Sequence, residues 1–187
     1  MRTILYFVRH AESLFIEGLE RTRGLSLKGK QDADRVYDIM KNIKIDEFIS
    51  SPYQRSIETI QKLAEMRSKE IFTYEDLRER TIGNFDNMEF KSAKRRVYIN
   101  KTFSFENGES SIEAQARSMK VLTRILQENM GKTIVIGTHG DIMTLMMNAF
   151  DPKYDYDFWE SLTMPDIYRL EFACGQLADV KRIWVVD

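Results

Sequence analysis

Thr3-Ile4-Leu5-Tyr6-Phe7-Val8 is followed at once by Arg9 and His10. A short, unbroken run of apolar and β-branched residues is the pattern of a strand buried on both faces. The pattern returns at Thr133-Ile134-Val135-Ile136-Gly137-Thr138, which ends on His139 and Gly140. Two such strands, each stopping at a histidine, predict a sheet whose carboxyl edge carries the chemistry, since that is where open α/β sheets hold ligands.

Outward from these strands, helical and strand patterns alternate. Ser26 is placed to cap a helix running to about Asn42, with Ala33, Val36, Tyr37 and Met40 at helical spacing. A short strand follows over Glu47 to Ser50. Pro52 then opens a second helix with a stripe of Ile57, Ile60, Leu63 and Ala64, and Ile71 to Tyr74 reads as a strand. Ser110 caps a long helix to about Met130, with Ile112, Ala116, Met119, Leu122, Ile125 and Leu126 facing inward. Asp141 to Phe150 reads as a helix, and Ile167 to Ala173 and Val180 to Val186 as closing strands around a turn at Gly175. Between Asp76 and Gly108 the pattern is irregular, with turn signals at Gly83, Asn84, Asn107 and Gly108 and a short helix near Phe90 to Tyr98. This predicts a lid-like covering segment over about 84–107. The alternation implies a three-layer α/β/α sandwich around a mostly parallel sheet, in one domain spanning 1–187.

Composition narrows the function. Lys and Arg number 28 against 29 Asp and Glu, so no overall charge favours nucleic acid or an anionic membrane. No segment has the roughly 18 uninterrupted apolar residues of a membrane span. The apolar run from Ile4 to Val8 is too short for a signal peptide, so the expectation is a cytoplasmic protein. Cys174 is the only cysteine and His10 and His139 the only histidines, which argues against disulfides, thiolate clusters and a histidine-rich zinc site.

The chain's two histidines thus stand in equivalent strand-end positions. Arg9 adds a guanidinium directly after a buried strand, where it needs an anion, and phosphate matches its fork bidentately. A third strand ends in Ser50-Ser51-Pro52, and Arg55 lies in the first turn of the helix that follows, where backbone N–H groups also favour anions.

These residues carry a family resemblance. Arg9-His10-Ala11-Glu12-Ser13, Leu25-Ser26-Leu27-Lys28-Gly29, Ser50-Ser51-Pro52 with Arg55 and Thr59, Leu77 with Glu79 and Gly83, Gly108-Glu109-Ser110, and Thr138-His139-Gly140 together resemble the histidine phosphatase superfamily, in its phosphoglycerate mutase-like branch. The resemblance implies a phosphohistidine mechanism with no metal and no organic cofactor. By motif position, His10 is the nucleophile, Arg9, Arg55, His139 and Gly140 bind phosphate, and Glu79 donates the proton. Ser13 is a candidate substrate contact. Glu12 is expected to bond backbone or pocket groups rather than donate the proton, and Glu109 to serve the helix start at Ser110. The implied partners are a small phosphorylated substrate and inorganic phosphate as product, on a monomer or homodimer.

Departures from the mutase pattern favour hydrolysis over isomerisation. Ala11 stands where many relatives have glycine, and Phe15-Ile16 where they have a tryptophan-asparagine pair. The Glu17 to Gly24 loop and the 83–108 segment are both shorter than in mutases. A cationic run of Lys91, Lys94, Arg95, Arg96 and Lys101 reads either as a solvated helix face paired with nearby acids or, by resemblance to the lids of mutases, as Arg95 and Arg96 holding a second anionic group of the substrate. Phosphomonoesterase is therefore the first reading, a mutase-type phosphotransferase the second, and a non-catalytic phospholigand-binding module the third.

Overall fold

The computed structural model describes residues 1–185 and contains a six-stranded sheet in the order β3-β2-β4-β1-β5-β6. Strand β1 (Arg2–Arg9) is central. It runs parallel to β4 (Thr133–Thr138) and antiparallel to β5 (Asp166–Ala173). Beyond β4 lie β2 (Glu47–Ser50) and β3 (Ile71–Thr73) in the same direction, and β6 (Gln176–Arg182) pairs antiparallel with β5 at the other edge. The helices are α1 (Leu27–Met40), α2 (Gln54–Glu65), α3 (Phe90–Ile99), α4 (Ser111–Glu128), α5 (Gly140–Asn148) and α6 (Tyr156–Ser161).

The period-two alternation of β1 divides its side chains between two cores. Leu5 and Phe7 pack with Leu122 and Ile125 of α4 and with Met143 and Met146 of α5. Tyr6 and Val8 pack on the opposite face with Val36 and Met40 of α1 and with Ile60 and Leu63 of α2. Each fully buried side chain of this size contributes about 1.5–3 kcal/mol by leaving water. Both faces of β1 are therefore fixed, and so is the point where it ends. Register carries that point across the sheet: Arg9 pairs with Thr138, and Ser50 with Gly137. His10, Ser51 and His139 accordingly emerge side by side.

Two expectations are corrected. Ile112 and Ala116 of α4 face solvent; Met119, Leu122, Ile125 and Leu126 pack inward as expected, and Ala114, Ser118 and Val121 join them on the buried face. The final strand starts at Gln176 rather than Val180, because a two-residue turn with positive φ at both Cys174 (51°) and Gly175 (79°) brings the chain straight back along β5. The predicted strand end at Val186 lies outside the described residues. Helix α6 follows an Asp155 cap and had no apolar stripe to announce it.

The 84–107 segment is more than a covering loop. Val97 and Tyr98 of α3 join Ala114, Ile142 and Leu145 in a third apolar cluster. At the base of the segment, Gly83 and Gly108 cross so closely that a Cβ on Gly83 would meet the Glu106 carbonyl at 2.5 Å. Among the described residues, no helix is long and apolar enough to cross a membrane.

Candidate active site

The carboxyl edge of the sheet opens into a cleft of about 740 Å³ whose wall includes Arg9, His10, Arg55 and Glu79. His10 is the first residue past β1. Its backbone N–H donates to the Thr138 carbonyl at 2.9 Å, and the next N–H, of Ala11, donates to Thr59 Oγ1 at 3.0 Å. Its ring Nδ1 lies 2.7 Å from the Ala11 carbonyl oxygen. A carbonyl can only accept, so Nδ1 carries the proton and Nε2 keeps its lone pair.

The His139 ring stands edge-on to His10 with centroids 5.2 Å apart, and its Nε2 is 2.7 Å from Ser51 Oγ. Burial, reinforced by the Arg55 charge, holds His10 well below the usual histidine range. His139 is held down in the same direction by burial and then by His10. Both rings are neutral at pH 7.

Arg9 donates through Nη1 to the carbonyls of Leu162 and Thr163 at 3.0 and 3.2 Å. Its guanidinium lies flat against Gly140, where a Cβ would approach Cζ to 2.9 Å. Gly140 thus serves the site through Arg9 and is not itself on the cleft wall. Arg55 is 1% exposed, and its two terminal nitrogens donate to the carbonyl and the carboxylate of Glu20, each at 2.7 Å. The Nε atoms of Arg9 and Arg55 and Nδ1 of His139, like Ser50 Oγ and Thr138 Oγ1, are buried and have no hydrogen-bond partner among the described residues. Buried polar atoms of this kind call for a ligand or water to satisfy them.

Glu79 reaches the cleft from the other side. Its Oε1 accepts from the N–H groups of Arg80 and Ile142, each at 3.0 Å, and its Oε2 from that of Asp141 at 3.2 Å. The amino end of α5, which begins directly after His139, therefore orients the carboxyl group. Ser13 also lines the cleft, donating to the Gly24 carbonyl at 2.7 Å and accepting from Arg23 at 2.8 Å.

Two expected substrate residues lie elsewhere. Arg95 and Arg96 are exposed and absent from the cleft wall, and Arg96 stacks over the Phe103 ring at 4.2 Å. At about 100° per residue, positions 94, 97 and 98 of α3 face α5 while 95 and 96 turn outward. The cation that α3 delivers to the cleft is Lys94, buried in an ion pair with Asp141. Asp141 also takes both forks of Arg80, at 2.7 and 2.9 Å, and the Tyr98 hydroxyl at 2.6 Å. Burial pushes its carboxyl up, but Lys94 and Arg80 outweigh that and hold it at about 2. Arg23 and Glu20 are further cleft residues that sequence reasoning passed over.

The other motif acids lie off the cleft wall. Glu12 accepts from Ser26 Oγ at 2.7 Å and so braces the α1 cap. Glu109 grips Arg117 bidentately at 2.6 and 2.7 Å, while the capping box at Ser110 is completed by Glu113.

Comparison with known proteins places the chain in a family. The family profile of the histidine phosphatase superfamily (branch 1) matches residues 5–178. Phosphoglycerate mutase-like protein 4 of Arabidopsis thaliana is 33% identical over 136 residues, which cover 67% of this chain and 59% of that protein's length. The chain thus spans well under two thirds of this curated relative. Among solved structures, a putative α-ribazole-5′-phosphate phosphatase from Escherichia coli superposes with a TM-score of 0.78 at 14% identity, covering 97% of this chain and 95% of that one. Phosphoserine phosphatase from Entamoeba histolytica, in complex with 3-phosphoglyceric acid, gives a TM-score of 0.77 at 22% identity, covering 94% of each chain. At these identities the structural matches speak for the fold.

Proposed function

Because the chain belongs to the histidine phosphatase superfamily (branch 1), we propose that it is a phosphomonoesterase that hydrolyses small phosphorylated metabolites through a phosphohistidine on His10. The observation that carries this reading is His10 with its ring Nδ1 held against the Ala11 carbonyl, which leaves Nε2 as the nucleophilic nitrogen, standing in a cleft with two buried guanidiniums and, on the other side, a fixed carboxyl group.

In the first step Nε2 of His10 attacks phosphorus while the ester P–O bond breaks. The electron pair leaves with the alkoxide, which takes the proton of the Glu79 carboxyl. Arg9 and Arg55 face the charge on the equatorial oxygens, with His139 fully buried beside His10 and off the cleft wall, and electrostatic stabilisation in the cleft supplies most of the rate. In the second step Glu79 takes a proton from water, water oxygen bonds to phosphorus, the P–N bond breaks and inorganic phosphate leaves.

The test is turnover of p-nitrophenyl phosphate, with quenching in alkaline detergent to trap the phosphoenzyme and later acidification to release it. Wild type should release phosphate and yield an acid-labile phosphoprotein. His10→Ala should lose both, with kcat falling by at least about 10³-fold. A His10→Ala protein that still turns over or still forms an acid-labile adduct would assign the nucleophile elsewhere.

A further inference from the structure

The loop between β1 and α1 lays a carboxylate across the phosphate arginine. Glu20 Oε1 accepts from Arg55 Nη2 at 2.7 Å and from Arg23 Nη2 at 3.1 Å, and its Oε2 accepts from Arg23 Nε at 3.1 Å. One oxygen is thus shared by two guanidiniums, which converge on a single anionic point. Both guanidiniums are nearly dry, with side chains 2% and 10% exposed, whereas the Glu20 side chain is 44% exposed. The cations belong to the cleft wall, and their counterion is a side chain with an open path to water.

Neither arginine depends on that carboxylate for its place. Arg55 Nη1 is anchored by the Glu20 backbone carbonyl at 2.7 Å. Arg23 Nη1 is anchored by the Ser13 carbonyl and hydroxyl, each at 2.8 Å. If the Glu20 side chain swings out, Arg55 Nη2 and Arg23 Nε and Nη2 come free together, still aimed at one point. A carboxylate and a phosphate present the same two-oxygen fork to a guanidinium, and phosphate carries the larger charge.

We propose that Glu20 is an internal stand-in for the substrate phosphate, and that Arg23 is a third phosphate-binding guanidinium beside Arg9 and Arg55. The incoming phosphate displaces the Glu20 carboxylate into solvent and takes over its hydrogen bonds from both arginines. On product release the carboxylate returns, so the buried cations are never left without an anion, and bound phosphate is expelled more readily. The inference rests on the reading of the cleft as a phosphate site, and it adds a residue that sets how tightly phosphate is held.

The test compares wild type, Glu20→Gln and Glu20→Gln/Arg23→Gln by calorimetric titration with inorganic phosphate and by steady-state hydrolysis of p-nitrophenyl phosphate. Glu20→Gln keeps the backbone carbonyl that anchors Arg55 and removes only the competing charge. Its phosphate Kd should fall about tenfold and KM should fall with it, while kcat does not rise. Adding Arg23→Gln should raise Kd again by at least about tenfold, with thermal melts of all three proteins confirming that they are folded. If wild type binds and hydrolyses but Glu20→Gln binds phosphate no tighter, Glu20 merely orients Arg55 and this inference is wrong. If wild type neither binds phosphate nor hydrolyses the ester, the reading of the cleft falls, and this inference with it.

Discussion

Gly140 shows how a residue without a side chain sets the geometry of one with a long one. The Arg9 guanidinium occupies the space where any Cβ at 140 would sit, at 2.9 Å from both Cζ and Nε. Because the crowded atoms are at the far end of a flexible side chain, Gly140→Ala should cost little stability. Alanine is also about 1 kcal/mol better than glycine inside a helix. Arg9 must nevertheless move by a few tenths of an ångström, and kcat/KM should fall about tenfold because positioned charge is what the site supplies. Equal kcat/KM in the two proteins would mean that Arg9 tolerates the shift. At this scale the positions of Arg9, His10 and His139 were legible because each stands at or just past a strand end, where the pattern changes abruptly, whereas Arg55, in the first turn of α2, was singled out by the family resemblance. Glu20, Arg23 and Lys94 were not legible. They reach the cleft from a loop and from a lid helix, and nothing local in their neighbourhoods says which way they face.

Helices α3 and α5 are joined through one carboxylate. Asp141, in the first turn of α5, holds Lys94 and Tyr98 from α3 together with Arg80. Asp141→Asn would leave two buried cations facing a neutral amide. The expected loss is about 3–5 kcal/mol in urea unfolding, with faster amide exchange across 90–99 as α3 loosens from α5. Loss of under about 1 kcal/mol would show that the cations find another anion. Elements were read best where packing is symmetrical. Strands β1 and β4, buried on both faces, declare themselves by apolar runs. Helix α4 was misread only in its first turns, at Ile112 and Ala116, because its buried face there admits small and polar residues. Ser118, fully buried, donates to its own helix at the Ala114 carbonyl at 2.9 Å and so needs no other partner. Apolar periodicity alone could not favour that serine over exposed Ile112.

For the molecule as a whole, two buried neutral histidines at the sheet edge make stability depend on pH. In the unfolded chain each titrates near 6.5, and in the native state each is held well below that. Below pH 6.5 the unfolded chain therefore takes up protons that the native protein refuses. The histidine contribution is complete above 6.5 and is lost on acidification, at up to about 1.4 kcal/mol per pH unit for each residue. Urea unfolding between pH 7.5 and 5.5, a window mostly above the carboxylate range, should show this slope, reduced by about half in His10→Ala. A flat profile would mean that the native protein also protonates there. At the other end of the molecule, the β5–β6 turn places the only cysteine, Cys174, in the open. Arg2 pairs with Ala173 and Arg9 with Asp166, so that thiol lies a full strand away from His10, roughly 25 Å along β1. A maleimide dye or a surface linker attached to the native protein would therefore go on at one defined place, leaving the cleft unobstructed and facing away from the attachment.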